Sequence, residues 1–322
     1  MLIRSTNLTQ PSFVYPTDYG QGDRGVWTGG GNVQYNNDSV YISISTLGNT
    51  SVFGSCVTNL RYCAGTSGRG RGLIEGGVLA TTPTNQINYV NISTPGNTTT
   101  FGTLTGTKYD NAAVSNGTRA LSIGGRTTWT GTQQGTVDYH TIATLGNASN
   151  FGNFSGSRET SNSGPSAVSD GSIGIICTSQ SWNTDLFIDY WTISTPGNSV
   201  KFGNSRSSGI QQAEGCAGFS NGSRGIWAGG YQSGQQLHLM DYITFATPGN
   251  ALDFGRVAHD IEYGAGVSNG TRAVIGGGNG GPMEYFNMDT ATGTAVISEN
   301  FGTMTYGSHP SSRLYPAGYA GD

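Results

Sequence analysis

A fifteen-residue phrase recurs six times along the chain without a gap, and it constrains the fold more than any other feature. It reads GAGVSNGTRAVIGGG at 264–278, NAAVSNGTRALSIGG at 111–125, CAGFSNGSRGIWAGG at 216–230 and CAGTSGRGRGLIEGG at 63–77. Two weaker copies are PTDYGQGDRGVWTGG at 16–30 and PSAVSDGSIGIICTS at 165–179. The phrase predicts a strand, a tight turn and a second strand. Asn-Gly, as in Asn116-Gly117, Asn221-Gly222 and Asn269-Gly270, tolerates the positive φ of a two-residue hairpin turn. One hairpin cannot bury its own face, so a repeated hairpin must pack on its neighbours.

A second phrase follows each first one. Its copies are SVYISISTLGN (39–49), INYVNISTPGN (87–97), VDYHTIATLGN (137–147), IDYWTISTPGN (188–198) and MDYITFATPGN (240–250). The sixth, MEYFNMDTATG (283–293), keeps the tyrosine and loses Pro-Gly-Asn. Its β-branched content favours a strand, and Thr-Pro-Gly-Asn is a turn. A Phe-Gly pair then closes each unit, at Phe53, Phe101, Phe151, Phe202, Phe254 and Phe301. The spacings of 48, 50, 51, 52 and 47 residues leave room for four short strands, here called a to d, per unit. No stretch shows helical periodicity with caps. The expected fold is therefore all-β, a six-bladed β-propeller of four-stranded blades over 16–302. Strand b should begin at Arg24, Arg71, Arg119, Ile173, Arg224 and Arg272. The six phenylalanines should be buried between blades.

The Gly-Gly pair, followed in most units 11 to 14 residues later by a tyrosine, resembles the kelch-type propeller repeat, with Tyr41, Tyr89, Tyr139, Tyr190, Tyr242 and Tyr285 as the tyrosines the resemblance implies. The kelch tryptophan is missing, and Thr-Pro-Gly-Asn with Phe-Gly stands in its place. That variant, together with Ser-Asn-Gly-Thr-Arg, resembles repeat proteins carried by tailed phages of cyanobacteria and marine bacteria. The resemblance implies a non-enzymatic virion component, a capsid-surface or tail-associated appendage made in the host cytoplasm. It would touch other virion proteins and a host-surface glycan or protein. The rival readings are a secreted glycan-processing enzyme, a sugar-binding lectin-type propeller and a cytosolic kelch adaptor.

The a–b and c–d turns are short and nearly constant, whereas the b–c and d–a segments vary. Gly-Gly to Tyr spans 14 residues at Gly125–Tyr139 and 7 at Gly278–Tyr285. In an up-and-down blade this gives one uniform face and one variable face, and recognition is usually placed on variable loops. The binding candidates there are Tyr35, Trp129, Gln133, Trp182, Tyr231, Gln235 and His238. Residues 1–15 are expected to close the ring. Residues 303–322, with Tyr306, Tyr315 and Tyr319, are expected to dock on a partner. Arg24, Arg71, Arg119, Arg224 and Arg272 are expected to pair across strands with Asp138, Asp189, Asp241 or Glu284 of their own units.

Composition removes several classes. Net charge is −4, and no basic stripe invites nucleic acid. No run of eighteen apolar residues exists to span a membrane. The start, MLIRSTNLTQ, is read as lacking a signal peptide. Cys56, Cys63, Cys177 and Cys216 form no C-x-x-C and read as buried thiols. The histidines, His140, His238, His259 and His309, have no metal-ligand spacing. No catalytic residue, cofactor or metal site is expected.

Overall fold

The computed structural model describes residues 22–321 apart from 32–36, 58, 129–132, 156–164, 178–186, 206–214, 233–234, 279–281, 291–295 and 305–315. None of the described residues is helical. The fold is all-β and propeller-like, built from antiparallel sheets with strands in the order a-b-c-d. Strand b begins where the phrase predicts, at Arg24–Thr28, Arg71–Glu75, Arg119–Ile123, Ile173–Cys177, Arg224–Ala228 and Arg272–Gly277. In the third sheet, for example, Ala112–Ser115, Arg119–Ile123, Thr136–Thr141 and Ser149–Asn153 follow one another as antiparallel neighbours.

The first sheet differs in its strand a. That position is filled by Ala317–Gly321, paired antiparallel with Arg24–Thr28. The expected docking tail is thus, over these residues, part of the sheet. Tyr319 is buried, its hydroxyl 2.6 Å from Thr28 Oγ1. Its ring lies against Gly72, where an added Cβ would fall 2.1 Å from Tyr319 Cε2. The physical reason is visible in PAGYAGD (316–322), which matches the first half of the phrase, as in CAGFSNG (216–222). Residues 1–15, expected to close the ring, lie outside the described residues, as do Tyr306 and Tyr315.

Each a strand lies against the a strand of the next sheet, from Ala64–Gly68 through to Gly264–Ser268, which lies against Ala317–Gly321. The apolar core is divided accordingly, one cluster between each pair of consecutive sheets. Strand b is buried on both faces because a sheet packs on each side of it, hence its continuous apolar run.

The repeated Phe-Gly and Thr-Pro-Gly-Asn are two halves of one latch between sheets. Asn97 Oδ1 accepts the N–H of Ser55, Asn147 that of Thr103, Asn198 that of Asn153, and Asn250 that of Asn204. Asn49 accepts the N–H of Thr303 in the same way, joining the sixth sheet to the first. The Phe-Gly glycine leaves room for this turn, since a Cβ at Gly203 would lie 1.9 Å from Gly249 O. The unit lacking Pro-Gly-Asn breaks the pattern. There Val296–Ile297 runs parallel to Gly255 and Arg256, extending the fifth sheet.

All six phenylalanines are buried, as expected. Each meets the strand-c tyrosine of its unit edge to face, for example Tyr139 and Phe151 at 5.8 Å and 71°. Phe151→Ala is expected to cost about 3–5 kcal/mol in denaturant unfolding, because the ring leaves a cavity that rigid sheets on both sides cannot fill.

The arginines do not pair with the acids. In the antiparallel register Arg119 opposes Thr141, while Asp138 opposes Ser122 three residues further along strand b. Each guanidinium instead stacks on the tyrosine of its unit and donates to main-chain carbonyls of the next sheet. Arg119 lies 4.6 Å from the Tyr139 ring centroid and donates to Ile193 O and Ser194 O. Arg24 reaches Ile92 O, Arg71 Ile142 O, Arg224 Met288 O, and Arg272 Ile44 O. Delocalised charge over a ring, with several donors in one plane, is chemistry that lysine could not supply.

Candidate binding face

The connections differ in what holds them. Strand-c acids seat the d–a segment of the preceding unit. Asp138 accepts from the main chain and hydroxyl of Thr105, and Glu284 from Ala258 N and, at 2.5 Å, His259 Nδ1. A buried carboxylate is held by such donors, and Asp138 has the Lys108 ammonium beside it as well, 3.2 Å away. The Gly-Gly pair holds the same segment from the other side, through Gly30 N to Leu60 O, Gly77 N to Lys108 O and Gly230 N to Ile261 O. The d–a segments thereby lead into the a strands, which lie against one another from sheet to sheet.

At that end lies a cavity of about 130 Å³, lined among others by Tyr62, Asp110, Asn111, Gly215, Tyr263 and Pro316. Its rim is strained. Tyr62, Asp110 and Tyr263 have φ of 58°, 53° and 55°, values rare outside glycine. Gly215, at the equivalent place, has φ 63°. Main-chain bonds hold the rim, Asp110 N to Tyr62 O and Tyr263 N to Gly215 O. Nothing in the phrase marks these residues, because they precede it and differ from copy to copy.

At the other end a series of serines links each a strand to its neighbour. Ser115 Oγ donates to Ser67 O at 2.5 Å, Ser169 to Ser115 O, Ser220 to Ser169 O, and Ser268 to Ser220 O. Ser67 Oγ donates to Ala320 O at 2.6 Å. These serines are the fifth residue of the phrase, so the signal was present in SNG and SDG but its partners were not. Ala320 takes that position in the C-terminal strand and has no hydroxyl to give Ser268. Ala320→Ser is expected to complete the series and stabilise the fold by about 0.5–1.5 kcal/mol, read as a higher melting temperature.

The variable-face candidates divide as follows. Tyr35, Trp129 and Trp182 lie outside the described residues. Gln133 is half-buried and bridges to Arg126. Tyr231 and Gln235 stand in a short hairpin, Tyr231–Gln232 against Gln235–Gln236. The Tyr231 ring lies 6.4 Å from that of Tyr263 on the cavity rim. His238 Nε2 stands 2.5 Å from Asp260 Oδ1, and its Nδ1 3.3 Å from Val257 O. The fold thus brings Tyr231 to the cavity mouth, while His238 faces the d–a segment of its own unit.

All four cysteines are buried free thiols. Burial pushes the Cys216 thiol up to about 12 and Cys177 well above its ordinary value, so both are protonated at neutral pH. Among the described residues no group of three or more His, Cys, Asp or Glu side chains is placed to hold a metal ion. No described helix is long and apolar enough to cross a membrane. No family model and no curated protein matches the chain.

Proposed function

We propose that the sheets are the six blades of one closed propeller, and that the protein is a non-enzymatic binding scaffold carried on a phage particle. The succession of a strands, the core cluster at every junction and the Asn49 latch from sixth sheet to first support the closed ring. The observation that carries the binding reading is the contrast between the faces. The a–b and c–d turns are occupied in latching sheets together. The ends of the d–a segments line an axial cavity with a tyrosine-bearing, strained rim, and Tyr231 of a b–c segment stands beside that rim. Tyrosine supplies apolar area with a polar tip, which suits a sugar ring or a protein side chain. The virion setting rests on the resemblance of the Thr-Pro-Gly-Asn and Phe-Gly repeat to phage-borne repeat proteins. Display in many copies would turn weak single contacts into firm attachment. Face-on electron-microscopy averages of the purified protein should show six lobes, and antibodies against it should decorate intact particles. Particles free of the protein would end the virion reading, and a lobe count other than six would end the ring.

A further inference from the structure

Three residues depart from the repeat, all at the junction of the second and third sheets. Position thirteen of the phrase is Thr28, Ile123, Cys177, Ala228 or Gly276 in five copies, and Glu75 in the second. The residue after the strand-c tyrosine is Ile42, Val90, Trp191, Ile243 or Phe286, and His140 in the third unit. Lys108 lies six residues beyond its Phe-Gly glycine, where units one and five carry the buried Leu60 and Ile261. It also accepts the same Gly-Gly hydrogen bond as they do. Glu75, Lys108 and His140 are all buried. Ionisable groups at core positions are costly, and the other units carry uncharged residues at the places of Glu75 and His140, as units one and five do at that of Lys108. Folding alone does not account for three such replacements at one junction.

We propose that Lys108 and Asp138 join in an intramolecular amide bond, with Glu75 carrying the proton between them. The geometry is that of a reacting pair. Lys108 Nζ stands 3.2 Å from Asp138 Oδ2, with side chains 3% and 0% exposed. Lys108 Nζ donates to Thr136 O at 3.1 Å, which fixes its direction. Thr105 Oγ1 donates to Asp138 Oδ1 at 2.7 Å and Thr105 N to Oδ2 at 3.3 Å. Glu75 Oε1 lies 3.5 Å from His140 Nε2, and the charges of Asp138 and Lys108 both act on its buried carboxyl. Held reactants of this kind gain a large effective concentration.

The chemistry balances without an oxidant. A proton passes from the ammonium to the carboxylate, giving a neutral amine and a carboxylic acid. Burial favours this step, since it holds the Lys108 ammonium below its ordinary pKa. The amine lone pair attacks Asp138 Cγ and forms the C–N bond. Negative charge develops on Oδ1, where the Thr105 hydroxyl already donates. Glu75, protonated at neutral pH, gives its proton to Oδ2 and takes one from the nitrogen. The C–Oδ2 bond breaks, water leaves, and Glu75 ends as it began. The product ties the connection after the second sheet to strand c of the third.

The test is the intact mass of the purified full chain under denaturing conditions, with a peptide map. The expected result is a chain lighter by one water, with a branched peptide joining residues 108 and 138. Lys108→Arg should restore the full mass by removing the nucleophile, and Glu75→Gln should restore it in most molecules. Wild-type protein that keeps its full mass after long incubation at neutral pH would overturn the proposal, whether or not either variant folds. A link that forms undiminished in Glu75→Gln would overturn the part given to Glu75.

Discussion

Deleting residues 316–322 is expected to lower the melting temperature by at least about 10 °C, or to leave a chain that does not fold, as followed by circular dichroism. The deletion removes a whole strand from the interior. Five residues of the first sheet's strand b would lose their partners, from Arg24 opposite Gly321 to Thr28 opposite Ala317. Their main-chain groups would be left unpaired, and a buried backbone group without a partner costs as much as a lost hydrogen bond. Ala317, Tyr319 and Ala320 would leave voids in the clusters on both sides of the first sheet. Ser67 would lose the carbonyl at which the serine series begins. Tyr319→Ala, which keeps the strand and removes the ring, should cost about 3–5 kcal/mol. An unchanged melting temperature in the deletion would show that the C-terminal strand does not complete the first sheet.

Raising the pH from about 6.5 to 8 is expected to weaken the fold by about 1.5–2 kcal/mol, through Glu75. Burial lifts its carboxyl from the ordinary 4.5 to about 8, opposed by the Ser122 hydroxyl and by the Lys108 charge, and aided by Asp138. Between those values the unfolded chain has released a proton that the folded chain retains. The stability is therefore fully present below 4.5 and is lost as the pH rises through 8. His140 acts in the opposite sense. Burial holds it at about 4 rather than 6.5, so the unfolded chain binds the extra proton and stability rises with pH across that interval. The two slopes offset each other between about 4.5 and 6.5, and the fall due to Glu75 emerges alone above 6.5. Burial is the largest cause of both shifts, so both persist if Lys108 and Asp138 are joined. Glu75→Gln should abolish the loss between 6.5 and 8 and expose the rise due to His140. Denaturant midpoints measured at half-unit steps of pH would show it, and a variant as pH-sensitive as the wild type would refute the assignment.

Much of this architecture can be read in one dimension because its parts are local and repeated. Asn-Gly turns, β-branched strands and Phe-Gly endings each act within a few residues. The starts of six strands and the burial of six phenylalanines follow from them without any knowledge of neighbours. The same locality hid what the repeats do to one another. Asn97 belongs to one unit and caps Ser55 of the unit before it. Arg119 is spaced from Asp138 as though to pair with it, yet it serves the carbonyls of Ile193 and Ser194 in the next sheet. Antiparallel register, not spacing along the chain, sets which side chains can meet. PAGYAGD is half a phrase, legible as such, but only pairing with Arg24–Thr28 makes it the first sheet's missing strand. The strained rim at Tyr62, Asp110 and Tyr263 had no sequence signature, and the departures at Glu75, Lys108 and His140 were legible in the repeat whereas their buried meeting with Asp138 was not. Their residues come from different units, drawn together only by packing one sheet on the next. A repeated sequence determines its unit, because turns and strands are short-range. What lies between units depends on contacts that only the assembled sheets bring about.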